Sequence, residues 1–97
     1  MNVNITFKHM DSSPATADYA RQKLGAAHER YFPRESMDVD ATFEVEKLRH
    51  IAHLHANVAG ARLDATAEND EMHAAIDEVV ARLERQLHDL KEKRRAH

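Results

Sequence analysis

The sequence predicts an α+β fold in the order β-α-β-β-β-α, with both helices on one face of a four-stranded sheet. Four segments alternate apolar and polar residues with the period of a strand. Two longer segments repeat apolar residues at three- and four-residue steps, and turn or capping residues separate the segments. At 97 residues, the chain is long enough for a single domain, 1–97, with one core.

The N-terminal part of the chain predicts a strand followed by a helix. Residues 2–7 alternate apolar and polar side chains, as a strand with one buried face does. Ser12 or Ser13 can cap the helix by accepting a hydrogen bond from an early backbone N–H, and Pro14 suits the first turn. The helix is expected to end near Tyr31. The predicted inward side chains are Val3, Ile5 and Phe7 from the strand and Ala17, Ala20, Leu24, Ala27 and Tyr31 from the helix.

Three further strands are predicted in the middle of the chain. Residues 38–46 alternate cleanly, a turn through residues 47–50 leads to the next strand, and Ala59-Gly60 forms a hairpin turn before the last. A right-handed crossover makes the first two strands parallel, and the others form an antiparallel meander. The inward residues are Val39, Ala41, Phe43, Val45, Leu54, Ala56, Val58, Leu63, Ala65 and Ala67. The solvated face carries Asp40, Thr42, Glu44, Glu46, Ile51, His53, His55, Asn57, Arg62, Asp64, Thr66 and Glu68.

A long helix with one apolar stripe is predicted at the C-terminal end. Asn69 or Asp70 is the expected capping residue, and the carboxylate of Glu71 suits the positive end of the helix dipole. The stripe consists of Met72, Ile76, Val79, Val80, Leu83, Leu87 and Leu90. The basic tail from about residue 91 to 97, KEKRRAH, is expected to fray because it lies at a chain end.

The charge of the chain is unevenly distributed. The formal net charge is −3, but residues 1–81 hold 8 Lys/Arg against 14 Asp/Glu, whereas residues 82–97 hold 6 against 3. Such asymmetry is a better guide to partners than the total charge, and a phosphate backbone would meet the basic end. On a helical wheel of about 100° per residue, Arg82, Arg85 and Lys93 fall on one flank and the outer face of the last helix, with Gln86 beside them and Asp89 between. The alternative is a solvated helix face with the pairs Glu78–Arg82 and Asp89–Lys93.

Several functional classes find little support in the sequence. There is no cysteine, Gly-rich phosphate loop or nucleophile motif, so the chain is not expected to be an enzyme and no cofactor is predicted. No apolar run reaches the roughly 18 residues that a membrane span requires, and the N-terminus lacks a signal-peptide layout. We therefore expect a soluble, cytoplasmic protein without a membrane partner.

Eight histidines raise the question of a metal site. His53 and His55 share the outer face of one strand, with His50 close by and Glu44 or Glu46 as further ligand candidates. Zinc sites need three or four converging ligands, and two histidines at this spacing are common by chance. No metal site is therefore predicted. A metal-responsive or protein-interaction module that uses the His53/His55 sheet face stays open as the alternative function.

Short fragments in a fixed order connect the chain to a known family. The most specific are Asp70-Glu71-Met72, Ala74-Ala75-Ile76-Asp77 and Leu83-Glu84-Arg85-Gln86-Leu87, supported by Asn2–Ile5, Asp18-Tyr19, Tyr31-Phe32 and Glu44-Val45-Glu46-Lys47. In this order and over nearly the whole length, the sequence resembles the ribosome hibernation-promoting factor family, once named sigma-54 modulation proteins. It departs from the family at Gly25-Ala26-Ala27-His28, at His73 where a tyrosine is usual, and at Ala59-Gly60 where Gly-Gly is common.

The resemblance implies a fold similar to that of a double-stranded-RNA-binding domain with a strand added in front. It also implies a translation inhibitor that stores ribosomes inactive in stationary phase or stress. The implied partners are the 30S subunit, the 70S ribosome and 16S rRNA, met in the channel that tRNA and messenger RNA use. A ribosome modulation factor is a further implied partner, and the free chain is expected to be a monomer. The implied rRNA-binding residues are Lys23, Arg82, Arg85, Lys91, Lys93 and Arg94. A double-stranded-RNA binder unrelated to ribosomes is the competing interpretation of the same cations.

Overall fold

A computed structural model of the chain describes residues 1–95 and confirms the predicted element order. Its six elements are β1 Asn2–Lys8, α1 Pro14–Tyr31, β2 Met37–Glu46, β3 Arg49–Val58, β4 Ala61–Asn69 and α2 Met72–Arg95. The domain is elongated, with principal extents of 46 × 20 × 17 Å. Within these residues, neither helix combines the length and apolar composition that crossing a bilayer requires.

The four strands form one sheet in the order β1-β2-β3-β4. β1 runs parallel to β2, with Val3 opposite Val39, and the other two pairs are antiparallel. This is the predicted parallel β-α-β unit followed by an antiparallel meander. The register aligns the even residues of β2 with the odd residues of β3, as in the pairs Asp40–His55 and Glu44–Ile51. The acidic and histidine side chains therefore lie together on one face of the sheet.

The core lies between the other sheet face and both helices. Leu24 of α1, Phe43 and Leu54 of the sheet, and Ile76 and Leu83 of α2 are all at most 1% exposed and belong to one cluster. Many of the remaining core residues are alanines, whose small side chains let the helices lie close to the sheet. The predicted placement of both helices on one face is therefore confirmed.

The two hairpin turns are tight. Lys47 and Leu48 form the first, so β3 begins at Arg49, earlier than the turn through residue 50 that the sequence predicts. The second is Ala59-Gly60, and both residues have positive φ, 53° and 75°, as a type I′ turn requires. The right-handed twist of paired strands favours this turn type and explains why only two residues are needed.

One outward residue of β3 is more buried than its position predicts. Ile51 points to the solvated face but is only 8% exposed. It lies between Glu44 of β2 and Glu68 of β4 in the strand register. The aliphatic parts of these long side chains can cover it while their carboxylates stay in water.

Both ends of α2 differ from the prediction. Neither Asn69 nor Asp70 directly precedes the helix, because Glu71 does, and its carbonyl accepts the Ala75 N–H at 3.0 Å. The Asn69 side chain instead accepts the Glu71 N–H at 3.3 Å, an Asx turn that leads into the helix. At the other end, the helix continues through Arg95, whereas a frayed tail was expected from about residue 91. The contacts of Arg94 described below hold this last turn, and residues 96–97 lie outside the described residues.

The same substitution at the two glycines is expected to have opposite effects. Gly25 lies inside α1, where an added Cβ would meet only Met1 Cε at 3.8 Å, so Gly25→Ala should stabilise the fold by about 0.5–1 kcal/mol. Gly60 has φ +75° and open space around it, so Gly60→Ala should destabilise by about 1–2 kcal/mol through backbone strain alone. Urea unfolding measures both, and equal signs would contradict the assigned backbone conformations.

Candidate nucleic-acid interface

The seam between α1 and α2 is held by a polar cluster on the side away from the sheet. The rings of Tyr19 and His73 stack, with centroids 4.3 Å apart and an interplanar angle of 4°. The Tyr19 hydroxyl donates to Asp77, and Lys23 Nζ lies 3.4 Å from the same carboxylate. Thr16 Oγ1 completes the cluster at 3.5 Å from His73 Nε2. The predicted RNA contact Lys23 is therefore engaged with α2 in the free protein.

This cluster shifts two pKa values in opposite directions. Because the neutral phenol donates to a carboxylate, the hydrogen bond to Asp77 raises the pKa of Tyr19 above its ordinary 10.0. The same hydrogen bond, helped by the charge of Lys23, holds the pKa of Asp77 below its ordinary 3.8. Both shifts favour the protonation states that form the hydrogen bond, a neutral phenol and an ionised carboxylate.

Arg82 and Gln86 of α2 close the outer edge of β4. Arg82 Nη1 donates to the Thr66 carbonyl, and Gln86 Nε2 donates to the Asp64 carbonyl at 2.8 Å. Such carbonyls are the groups that an edge strand otherwise presents to water or to another strand. Glu78, the expected partner of Arg82, instead accepts from the Asn69 amide at 2.7 Å. Arg82 is thus a structural residue as well as a candidate RNA contact.

Two exposed cations of α2 form no ion pair in the described part of the chain. Arg85 and Lys93 are exposed, and neither forms an ion pair within residues 1–95. Lys93 lines a shallow groove with Gln86 and Ala61 at the β4 side of the helix. The expected pair Asp89–Lys93 is absent from the described residues. These two side chains are therefore available to an anionic partner.

The remaining predicted cations lie on the opposite flank. Lys91 and Arg94 line a groove of about 470 Å³ between the end of α2 and the segment that follows α1. The other residues of the groove are Tyr31, Phe32, Pro33, Arg34, Glu35 and Arg95. Arg94 Nη1 contacts both carboxylate oxygens of Glu35, at 2.8 and 2.9 Å, and its guanidinium lies 5.8 Å from the centre of the Phe32 ring.

The six predicted residues therefore do not form one patch. α2 separates Arg82 and Lys93 on the β4 side from Lys91 and Arg94 on the α1 side, Arg85 lies on the outer face of the helix, and Lys23 lies on α1. Arg34 and Glu35 of the second group were not predicted. The sequence offered one signal for them, a basic and an acidic residue next to Phe32-Pro33, but the helix that faces them is about sixty positions away.

The solvated sheet face is acidic and its histidines are paired. His53 Nε2 lies 3.1 Å from Glu44, its Nδ1 lies 3.2 Å from Thr66 Oγ1, and His55 contacts Asp64. Within residues 1–95, no three His, Asp or Glu side chains converge as metal ligands do. The metal interpretation of this face therefore has no ligand set among the described residues.

The fold and the two cationic flanks define a small α+β domain with a basic helical side and an acidic sheet side. The chain belongs to the Sigma 54 modulation protein / S30EA ribosomal protein family, whose sequence profile matches residues 3–95. This membership confirms the resemblance seen in the sequence. Proteins of this family bind ribosomes and are not enzymes.

Individual relatives agree with the family. The chain is 39% identical over 93 residues to a ribosome hibernation promoting factor of Azotobacter vinelandii, covering 96% of this chain and 85% of that protein. It is 35% identical over 97 residues to one of Klebsiella oxytoca, covering all of both. A ribosomal subunit interface protein from Coxiella burnetii has a similar structure, with a TM-score of 0.82, 28% identity and coverage of 95% and 99%. The N-terminal domain of Thermus thermophilus Protein Y shares the fold, with a TM-score of 0.84, 24% identity and coverage of 90% and 96%.

Removing the charge of Asp77 should make Tyr19 easier to ionise. In Asp77→Asn the phenol loses its carboxylate acceptor, so its pKa should fall toward 10.0. Absorbance of the two tyrosines at alkaline pH measures this, with Tyr19→Phe identifying the Tyr19 step. An unchanged titration in Asp77→Asn would show that the two side chains do not interact in solution.

The lowered pKa of Asp77 also predicts that the fold loses stability in acid. A folded-state pKa below 3.8 means that Asp77 stabilises the fold above this pH, and that the contribution disappears as pH falls through the lower, folded-state value. The difference in melting temperature between wild type and Asp77→Asn should therefore be largest near neutral pH and shrink in acid. A difference that grows on acidification would contradict the assignment.

Neighbouring arginines of α2 should respond differently to truncation. Arg82→Ala leaves the Thr66 carbonyl without its donor and should destabilise the fold by about 1 kcal/mol, whereas Arg85→Ala should change stability by less than about 0.5 kcal/mol. Urea unfolding of the two variants compares them directly. Equal stabilities would exclude the proposed closing of the β4 edge by Arg82.

Proposed function

We propose that this chain inhibits translation by binding the small ribosomal subunit with its helical side and keeping ribosomes inactive. The observation that carries the proposal is the opposite charge of the two sides of one small domain, together with the family to which it belongs. Relatives with full-length similarity are named ribosome hibernation promoting factors, and a structural neighbour is named a ribosomal subunit interface protein. The cytoplasm, where ribosomes work, is the proposed location.

The charge distribution supports one orientation on RNA. Asp38, Asp40, Glu44 and Glu46 of β2 all lie on the solvated sheet face, where phosphates would be repelled. α2 offers Arg85 on its outer face, Lys93 on the β4 flank and the cationic groove on the α1 flank. RNA would therefore meet α2 and its flanks, with the sheet turned away from it.

The arrangement of the cations suits recognition of an RNA phosphate backbone better than recognition of particular bases. Arg85 and Lys93 are eight residues apart, which corresponds to about 12 Å along a rigid helix. Cations on such a rod can follow the backbone of folded RNA, which proteins recognise chiefly by shape, phosphates and 2′-hydroxyls. Folded 16S rRNA in the channel between head and body, used by tRNA and messenger RNA, is the proposed target. All six predicted contacts, Lys23, Arg82, Arg85, Lys91, Lys93 and Arg94, belong to this proposal.

The biological setting follows from this mode of action. A domain that occupies the decoding channel is useful when translation must stop, so we propose that it acts in stationary phase or stress. The chain would act as a monomer on each 30S subunit or 70S ribosome. A ribosome modulation factor is the proposed further partner where ribosomes become paired.

Reversing the free cations should abolish binding without unfolding the chain. We expect Arg85→Glu combined with Lys93→Glu to lose co-sedimentation with vacant small subunits at moderate salt, with little change in melting temperature. A matched control is Lys8→Glu combined with Arg62→Glu, which makes the same change in net charge on the sheet side. Wild-type affinity should fall steeply with salt, because each phosphate contact releases a counterion.

Three outcomes of this experiment decide between the alternatives. Loss of binding in both double variants would indicate an effect of net charge alone and contradict the proposed orientation. Equal competition by free RNA duplexes and by ribosomal subunits would favour a general double-stranded-RNA binder. If the wild-type chain does not sediment with ribosomes even in dilute salt, the proposed function is wrong.

A further inference from the structure

We propose that Glu35 is an internal competitor that occupies Arg94 until an RNA phosphate displaces it. The inference rests on the proposed function and concerns the groove on the α1 side of α2. There the carboxylate would restrain the affinity of the domain for RNA. Glu35 would thus make ribosome binding weaker and more reversible than the cations alone allow.

The contact between Glu35 and Arg94 resembles the contact that an arginine makes with a phosphate group. Both carboxylate oxygens lie within 2.9 Å of the same guanidinium nitrogen. Arginine binds phosphate oxygens through the same planar N–H groups that it offers to carboxylates. The two side chains are 35% and 49% exposed, so a ligand can reach the pair from solvent.

The groove holds more positive than negative charge. It is lined by Arg34, Lys91, Arg94 and Arg95, and Glu35 is the one carboxylate among its lining residues in the described part of the chain. Arg95 has its own partner in Glu92, at 3.6 Å. Arg34 and Lys91 form no ion pair within residues 1–95. A phosphate that replaced the Glu35 carboxylate would therefore gain two uncommitted cations as neighbours.

The position of Arg94 does not depend on Glu35 alone. The guanidinium also lies over the ring of Phe32, a contact that a phosphate in the place of the Glu35 carboxylate would leave intact. The segment that carries Glu35 is held by its backbone, since the His28 ring contacts the Glu35 carbonyl at 2.6 Å and the Glu35 N–H donates to Phe32 at 3.3 Å. The carboxylate can therefore swing away while the groove keeps its shape.

A purely structural role is the competing explanation. Arg94 is in the last turn of α2, where a cation stabilises the negative end of the helix, and its ion pair fastens this turn to the loop after α1. In that case, removal of the Glu35 charge would loosen the end of the helix and weaken RNA binding. The two explanations thus predict opposite changes in affinity.

A double-mutant cycle on the full chain separates them. The variants are Glu35→Gln, Arg94→Gln and their combination, with Glu29→Gln as a control that removes one exposed negative charge outside the groove. The readout is the dissociation constant for vacant small subunits at several salt concentrations. We expect Glu35→Gln to bind about two- to fivefold more tightly, the range that an exposed ion pair covers. Its salt slope should steepen by about one counterion.

The double-mutant cycle tests whether the gain in ribosome affinity of Glu35→Gln depends on Arg94. In the Arg94→Gln background, Glu35→Gln should give no further gain, and Glu29→Gln should bind like wild type. Weaker binding by Glu35→Gln, or an equal gain in Glu35→Gln and Glu29→Gln, would overturn the inference while leaving the proposed function intact. Absence of wild-type binding would instead refute the proposed function, so the two failures can be told apart.

Discussion

Packing of the α2 stripe against the sheet is the interaction on which the rest of the molecule depends. Ile76, Val79, Leu83 and Leu87 are at most 1% exposed, and they fix the rotation of the helix about its axis. Once that rotation is fixed, every polar position of α2 has a defined direction. One flank lies over the edge of β4, the other faces α1, and the outer positions face solvent. A truncation within this stripe would create a cavity, with a cost of about 2–5 kcal/mol, and would also misdirect both sets of cations.

The sequence was sufficient to predict the helices and strands. It was not sufficient to predict which residues contact the functional side chains. Strand alternation, the Ala59-Gly60 turn and the α2 stripe predict the fold because each is encoded locally. The wheel also places Arg82 on the correct flank. It cannot show that this flank lies over the Thr66 carbonyl, because that contact joins two elements. The pair of Arg94 with Glu35 spans 59 positions, and it was missed together with the ordered last turn of the helix.

The departures from the family pattern acquire a physical meaning in the fold. His73, where the family usually has tyrosine, stacks on Tyr19 at the seam between the helices, so an aromatic ring is retained there. His53 and His55 pair with acidic or hydroxyl side chains of neighbouring strands. His53, His55 and His73 thus form contacts between elements, which an interpretation of histidine spacing as a metal-ligand pattern does not reveal. Gly25 remains without a structural requirement, since its surroundings would admit a methyl group.

The closed edge of β4 has a consequence for self-association. The edge strands of the sheet are β1 and β4. Within residues 1–95, side chains donate hydrogen bonds to backbone carbonyls at the outer edge of β4 but not at that of β1. Where one margin of a sheet is covered, strand pairing between copies can use only the other margin, and such pairing would end at two copies. Arg82 and Gln86 occupy two of the carbonyls that a strand from another molecule would need in order to pair with β4.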